Sequence, residues 1–251
     1  MLTVYKIALA LMVGLALIYI FQSYYSDFMV FFSNAFSPLI AGAAVVVSGI
    51  SLQKYWRKIE ERFSRIWLLF TTGLFFWFVG ESVWMGYTLI WNVEVPYPSI
   101  ADAFWIVGYI PFFFALYFYV KIFGAVLSKK MLAIALTLAI VLTLAISFTL
   151  ITPVVGSEED MLTLAVDFAY PLLDVALLSV SFLGLLIFMN GKLGKSWLLI
   201  NLGIFMDVCG DILFSYTTLQ ETYYNGHFLE LFYHFGYIFF LLAFYIHTKE
   251  L

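Results

Sequence analysis

Glu81, Asp167, Asp174, Asp207 and Asp211 stand inside long runs of apolar residues, and Asp102 and Glu230 stand near the ends of two more. No Lys or Arg lies at the same depth in any of these runs. Ionisable groups in such surroundings are costly and point by default to function. An unpaired carboxyl there either keeps its proton or holds a cation. Helical spacing groups these residues further. Asp207 and Asp211 are four apart and share a face, as do Asp167 and Asp174 at seven, while Glu230, His234 and Tyr237 form a third stripe. At about 1.5 Å per residue, Glu81, Asp167, Asp211 and His234 fall in the outer half of a bilayer and Asp174 near its middle. Together they can line one cavity open to the outside. The alternative is protonated acids and tyrosines hydrogen-bonding across helices as struts.

Aromatic residues surround the acids. Trp77, Trp84, Trp105, Tyr109 and Tyr237 lie at acid-bearing positions, where they could wall a pocket for an apolar or cationic ligand. Trp91, Tyr97, Tyr223 and Tyr224 at one boundary, and Tyr55, Trp56 and Trp197 at the other, read as interfacial belt residues. Pro38, Pro111 and Pro171 interrupt apolar runs, and each removes an N–H and frees a carbonyl to line a cavity. The candidate ligand- or cation-binding set is therefore Glu81, Asp102, Tyr109, Asp174, Asp207, Asp211, Glu230, His234 and Tyr237, with Trp77, Trp84 and Trp105 as pocket aromatics.

Several other chemistries fail on residue type. Asp207, Asp211, Glu230 and His234 offer oxygen and nitrogen to a metal, but only weakly. His247 lies thirteen residues beyond His234, about 20 Å along a helix, so His227, His234 and His247 cannot share a zinc. Every lysine stands at the edge of a run, which excludes a retinal Schiff base. Histidines at matching depths for bis-histidine haem are lacking. With no nucleophile beside a base, an enzyme is not expected, and cofactor and metal stay unassigned. Cys209 is the single cysteine, so no disulfide framework or CxxC motif exists.

The elements that must carry these residues follow from composition. With 64% hydrophobic residues, 11% charged and a mean hydropathy of +1.01, the 251 residues read as an all-α integral membrane protein. A helical span takes about 20 apolar residues. Eight transmembrane helices are expected, at about 4–22, 29–52, 66–90, 102–123, 131–152, 161–189, 196–218 and 227–247. Residues 4–22 lack a small-x-small cleavage pattern and count as the first span. All twelve basic residues fall at the termini or the even-numbered connections, at Lys6, at Lys54, Arg57, Lys58, Arg62 and Arg65, at Lys121, Lys129 and Lys130, at Lys192 and Lys195, and at Lys249. The odd connections hold Asp27, Glu94, Glu158, Glu159, Asp160 and Glu221 instead. The positive-inside rule then places both termini in the cytoplasm of a multi-pass cell-membrane protein. The basic residues form no stripe that could track a phosphate backbone, so no nucleic-acid partner is expected.

The chain also repeats itself. Gly80-Glu81 precedes a helix opening Asp102-Ala103-Phe104-Trp105-Ile106-Val107-Gly108-Tyr109, and Gly210-Asp211 precedes Glu230-Leu231-Phe232-Tyr233-His234-Phe235-Gly236-Tyr237. Ser37-Pro38-Leu39 and Tyr170-Pro171-Leu172 match likewise. Two four-helix parallel repeats are expected, at 1–125 and 126–251, related by an axis along the membrane normal.

Pro96-Tyr97-Pro98-Ser99-Ile100-Ala101-Asp102, running on to Gly108-Tyr109, with Tyr170-Pro171-Leu172-Leu173-Asp174 and Gly210-Asp211, resembles the multi-span N-terminal region of many prokaryotic diguanylate cyclases and related signalling enzymes. The likeness covers most of the expected helices three to eight. It implies a membrane sensor, here without an effector domain behind it, and so a separate signalling protein as cytoplasmic partner. The expected function is a polytopic sensor or ligand-binding module with an acidic, aromatic pocket in the outer half of the bilayer. A small secondary transporter or cation-coupled carrier is the alternative.

Overall fold

The computed structural model describes residues 2–55, 62–123, 127–151, 160–188 and 194–250. Trp56, Arg57, Lys58, Glu158, Glu159 and Lys192, like the expected boundary at 125 and 126, lie outside the described residues. Eight helices follow one another: α1 Leu2–Ile20, α2 Ser26–Tyr55, α3 Arg62–Met85, α4 Ile100–Phe123, α5 Lys129–Ile146, α6 Met161–Phe188, α7 Gly194–Leu219 and α8 Glu230–Glu250. Wider π-turns extend α3 through Gly86–Ile90 and α5 through Ser147–Ile151. No strand occurs among the described residues. All eight helices are long and apolar enough to cross a membrane. A helix closes its own backbone hydrogen bonds, which is what an apolar surrounding demands of a single segment.

Observed helix ends lie close to the expected runs. The last helix starts later, at Glu230 rather than 227. Gly226 takes a φ of +88° there, which a residue with a Cβ rarely adopts. The turn it makes lets its N–H donate to Glu230 Oε1 at 2.7 Å, so the chain reverses before α8 can begin.

Polarity is inverted relative to a soluble core. Leu39 is 70% exposed and Leu9 63%, while Asp174 is 1% exposed and His234 not at all. Among the described side chains no Lys or Arg is buried. Six helices close a ring, each packed on the next in the order α2, α3, α4, α6, α7, α8 and back to α2. Outside it, α1 lies against α8 and α5 against α6.

Close approach is what the ring requires at α3 and α4. A methyl group on Gly108 would lie 2.5 Å from Trp77 Cδ1 and 3.0 Å from the carbonyl oxygen of Gly73. The middle of the ring is aromatic. Trp77 stacks on Phe112 with centroids 5.1 Å apart, Phe112 meets Phe240 at 5.4 Å, and Phe70 meets Phe112 at 5.2 Å and Phe244 at 5.8 Å. Beyond them, toward the end that carries the chain termini, His247 stacks on Trp67 at 4.2 Å. Lys54 Nζ there donates to the carbonyl oxygen of Thr248 at 2.6 Å, joining the C-terminal ends of α2 and α8 where a cation suits the helix dipoles.

Candidate functional site

The acids gather at the opposite end of the ring, and tyrosines meet most of them. Two begin helices. Ser99 is the residue before α4, and its hydroxyl accepts from the N–H of Ala101 at 3.1 Å. Asp102 reaches back in turn, its Oδ2 accepting from the backbone N–H and the hydroxyl of Ser99, both at 2.7 Å. This is a capping box with Asp in the acidic place. Tyr170 of α6 donates to the other oxygen, Oδ1, at 2.9 Å. Glu230 works likewise at the start of α8. Its Oε1 accepts from Gly226 N–H and, at 3.2 Å, from Tyr223, and Tyr19 of α1 donates to Oε2 at 3.2 Å. Burial, and then the Glu230 carboxyl beside it, hold the Tyr223 phenol well above its ordinary range, so it remains a donor.

Deeper in, the tyrosines bridge helices. Tyr237 of α8 donates to Glu81 Oε1 on α3 at 2.9 Å, and Tyr233 of α8 to Asp211 Oδ1 on α7 at 2.9 Å. Tyr109 of α4 lies 2.6 Å from Asp174 Oδ1 on α6 and 2.7 Å from Asp211 Oδ2 on α7. A phenol carries one hydrogen. It can donate to only one of these oxygens, so the other contact is a hydrogen bond only if that carboxyl is itself protonated and donates back. The Asp174, Tyr109 and Asp211 group therefore shares at least one carboxyl proton, which belongs to the group and not to either acid.

Between these residues lies a cavity of about 90 Å³. Glu81, Asp102, Tyr109, Asp207, Asp211, Glu230 and Tyr237 line it, with Trp77, Trp84 and Trp105. Two expected members do not. Asp174 lies behind Tyr109, and His234 is turned away, its Nε2 2.9 Å from Ser37 Oγ and its Nδ1 3.4 Å from Tyr19 Oη. Asp167 is also absent from the lining, because it accepts from Tyr97 on the α3–α4 loop. A separate apolar cleft of about 220 Å³ lies between α4 and α6, and among the described residues Tyr109 alone lines both spaces.

Two belt expectations need correction. Tyr223 lines the cavity, its hydroxyl donating to Glu230, whereas Tyr97 lines it while staying 39% exposed, its hydroxyl on Asp167. Trp197 is 2% exposed, with its ring packed on Gly184 and Tyr119. The weak metal suggestion also finds no assembly. No group of three or more His, Cys, Asp or Glu side chains among the described residues could hold a metal ion.

Sequence reasoning missed the α2 contribution. Ser33, Asn34 and Ser37 line the cavity, and their signal was a polar cluster with Ser33 and Ser37 one helical turn apart in an apolar run. Pro38 inside α2 leaves the carbonyl of Asn34, a lining residue, without its usual donor. Tyr19, Tyr170 and Tyr233 went unassigned because a tyrosine near an apolar run reveals no partner until the helices are packed.

No family model, curated protein or solved structure matches this chain.

Proposed function

We propose that the chain is a polytopic sensor or ligand-binding module of the cell membrane, made of two four-helix parallel repeats with both termini cytoplasmic. One observation carries this reading. Tyr109 of the first half meets Asp174 and Asp211 of the second, while Tyr237 of the second half donates to Glu81 of the first. Whatever enters the cavity and engages Glu81 or Asp211 competes with the bonds that clamp the halves. Such a ligand has differential contacts with the clamped and released arrangements, as a conformational switch requires.

The paired contacts support the repeat. Gly80 faces the Trp105 ring as Gly210 faces the Tyr233 ring, and Gly73 faces Phe112 as Gly203 faces Phe240. Helix adjacency follows the same rule, since α2–α3, α3–α4 and α2–α8 correspond to α6–α7, α7–α8 and α6–α4. The resemblance to membrane regions of diguanylate cyclases supports sensing, with output to a separate cytoplasmic signalling protein. A carrier would have to part the aromatic block of Trp77, Phe112 and Phe240 beneath the cavity. A binding module needs no such opening.

The test is intrinsic tryptophan fluorescence of the full chain in lipid nanodiscs, stepped between neutral and acid pH. Trp77, Trp84 and Trp105 line the cavity with the acids and should report their protonation. Glu81→Gln and Asp211→Asn are each expected to fold and to abolish the response. If both variants melt earlier yet keep the response, the acids are struts and both the sensor and the proton-coupled carrier are rejected.

A further inference from the structure

Among the carboxyls that line the cavity, Asp207 differs from the rest. Asp102 and Glu230 each accept two or more hydrogen bonds, Asp211 accepts one from Tyr233 and also meets Tyr109, and Glu81 accepts one from Tyr237. Asp207 is 7% exposed, lines the cavity, and makes no hydrogen bond with any described residue. Its charged neighbours, Asp211 and Glu81, have the same sign. A polar group this buried and unmatched is costly and calls for a partner. In the alignment of the two halves that pairs Glu81 with Asp211, Asp207 falls opposite Trp77, whose indole N–H is committed to the carbonyl oxygen of Trp105 at 3.1 Å. The acid and the ring at these matching positions both line the cavity.

We infer that the cavity binds a small organic ammonium ion, with Asp207 accepting from its N–H and the indoles of Trp77 and Trp105 flanking its cationic or apolar body. The aromatic rings favour a positive charge near their faces. A bare hard metal ion is disfavoured, since it wants six or more oxygen ligands and no metal-competent group exists among the described residues. Size follows from volume. The cavity of about 90 Å³ is well above the roughly 10–15 Å³ that one water needs, so it has room for a small organic ion.

This inference rests on the ligand-binding reading above and deepens it. The experiment measures binding of benzylammonium, of the isosteric neutral benzyl alcohol and of the quaternary ion choline, by calorimetry on the full chain in nanodiscs at constant ionic strength. Benzylammonium should saturate one site, and benzyl alcohol should bind about tenfold more weakly or worse, as expected for loss of a charge-assisted hydrogen bond. Choline, lacking an N–H, should fall between them. Asp207→Asn should weaken benzylammonium by about tenfold or more and leave benzyl alcohol unchanged. The wild-type comparison of the two isosteres stands even if the variant does not fold. Equal binding of benzylammonium and benzyl alcohol overturns the ammonium assignment while preserving a ligand pocket. Choline binding more tightly than benzylammonium overturns the hydrogen bond to Asp207. Saturable binding of none of the three overturns the assignment and counts against the ligand-binding reading too.

Discussion

At the scale of single residues, the acids divide by what they already hold. Asp102 and Glu230 spend their oxygens on the backbone at helix starts and on tyrosines, so struts and site coexist in one cluster. The shared proton is the sharpest consequence. An infrared spectrum of the chain in nanodiscs at neutral pH should contain a protonated-carboxyl C=O stretch that the double variant Asp174→Asn, Asp211→Asn lacks. Tyr109→Phe, which keeps the wall between cavity and apolar cleft but removes the hydroxyl, should shift that band. Identical carboxyl bands in wild type and double variant would mean that no proton is shared there. The acids themselves were legible from the sequence because an apolar run makes each conspicuous. Their partners were not, since Tyr19 and Glu230 are 211 residues apart, and only packing brings them together. Tyr97 and Tyr223 illustrate the difficulty well. An amphipathic ring at a helix end suits an interface and a cavity equally, and the deciding fact is a carboxyl on another helix.

At the scale of elements, the helices were legible almost throughout, because length and hydropathy alone set them. The ring that they close was not legible, since a run of apolar residues does not say which face meets which neighbour. Glycines mark the answer afterwards. Gly108 brings α4 against α3 so closely that an added methyl meets both the Trp77 ring and the backbone of Gly73, and backbone cannot yield as a side-chain tip can. Gly108→Ala should therefore destabilise by about 1–3 kcal/mol, the usual cost of overpacking, measured by unfolding in mixed micelles. Gly203→Ala at α7, facing the Phe240 ring at 2.7 Å, should cost a similar amount. Gly14 has nothing within 4 Å of an added methyl, so Gly14→Ala serves as the control and should be neutral or slightly stabilising in its helix. Equal effects at all three positions would remove close packing as the explanation.

At the scale of the whole molecule, the sidedness of charge gives a direct test of orientation. With Cys209→Ser as background, Tyr224→Cys in the α7–α8 loop should react with an impermeant thiol reagent added to intact cells. Ser128→Cys, before α5, should react only after lysis. Reaction of both from outside would sink the eight-span arrangement. The closed ring has one more consequence, and it concerns how the molecule is made. Tyr19 and Ser37 leave the ribosome early, but Glu230 and His234, the groups they meet, come last, separated by 211 and 197 residues. At a synthesis rate of about 5–20 residues per second, the first two helices wait roughly ten to forty seconds in the bilayer with the Tyr19 and Ser37 hydroxyls lacking these partners. Assembly is therefore post-translational at the seam between α2 and α8. Any lesion that stops synthesis before α8 leaves an open ring with polar groups facing lipid, a form that membrane proteases can recognise and clear.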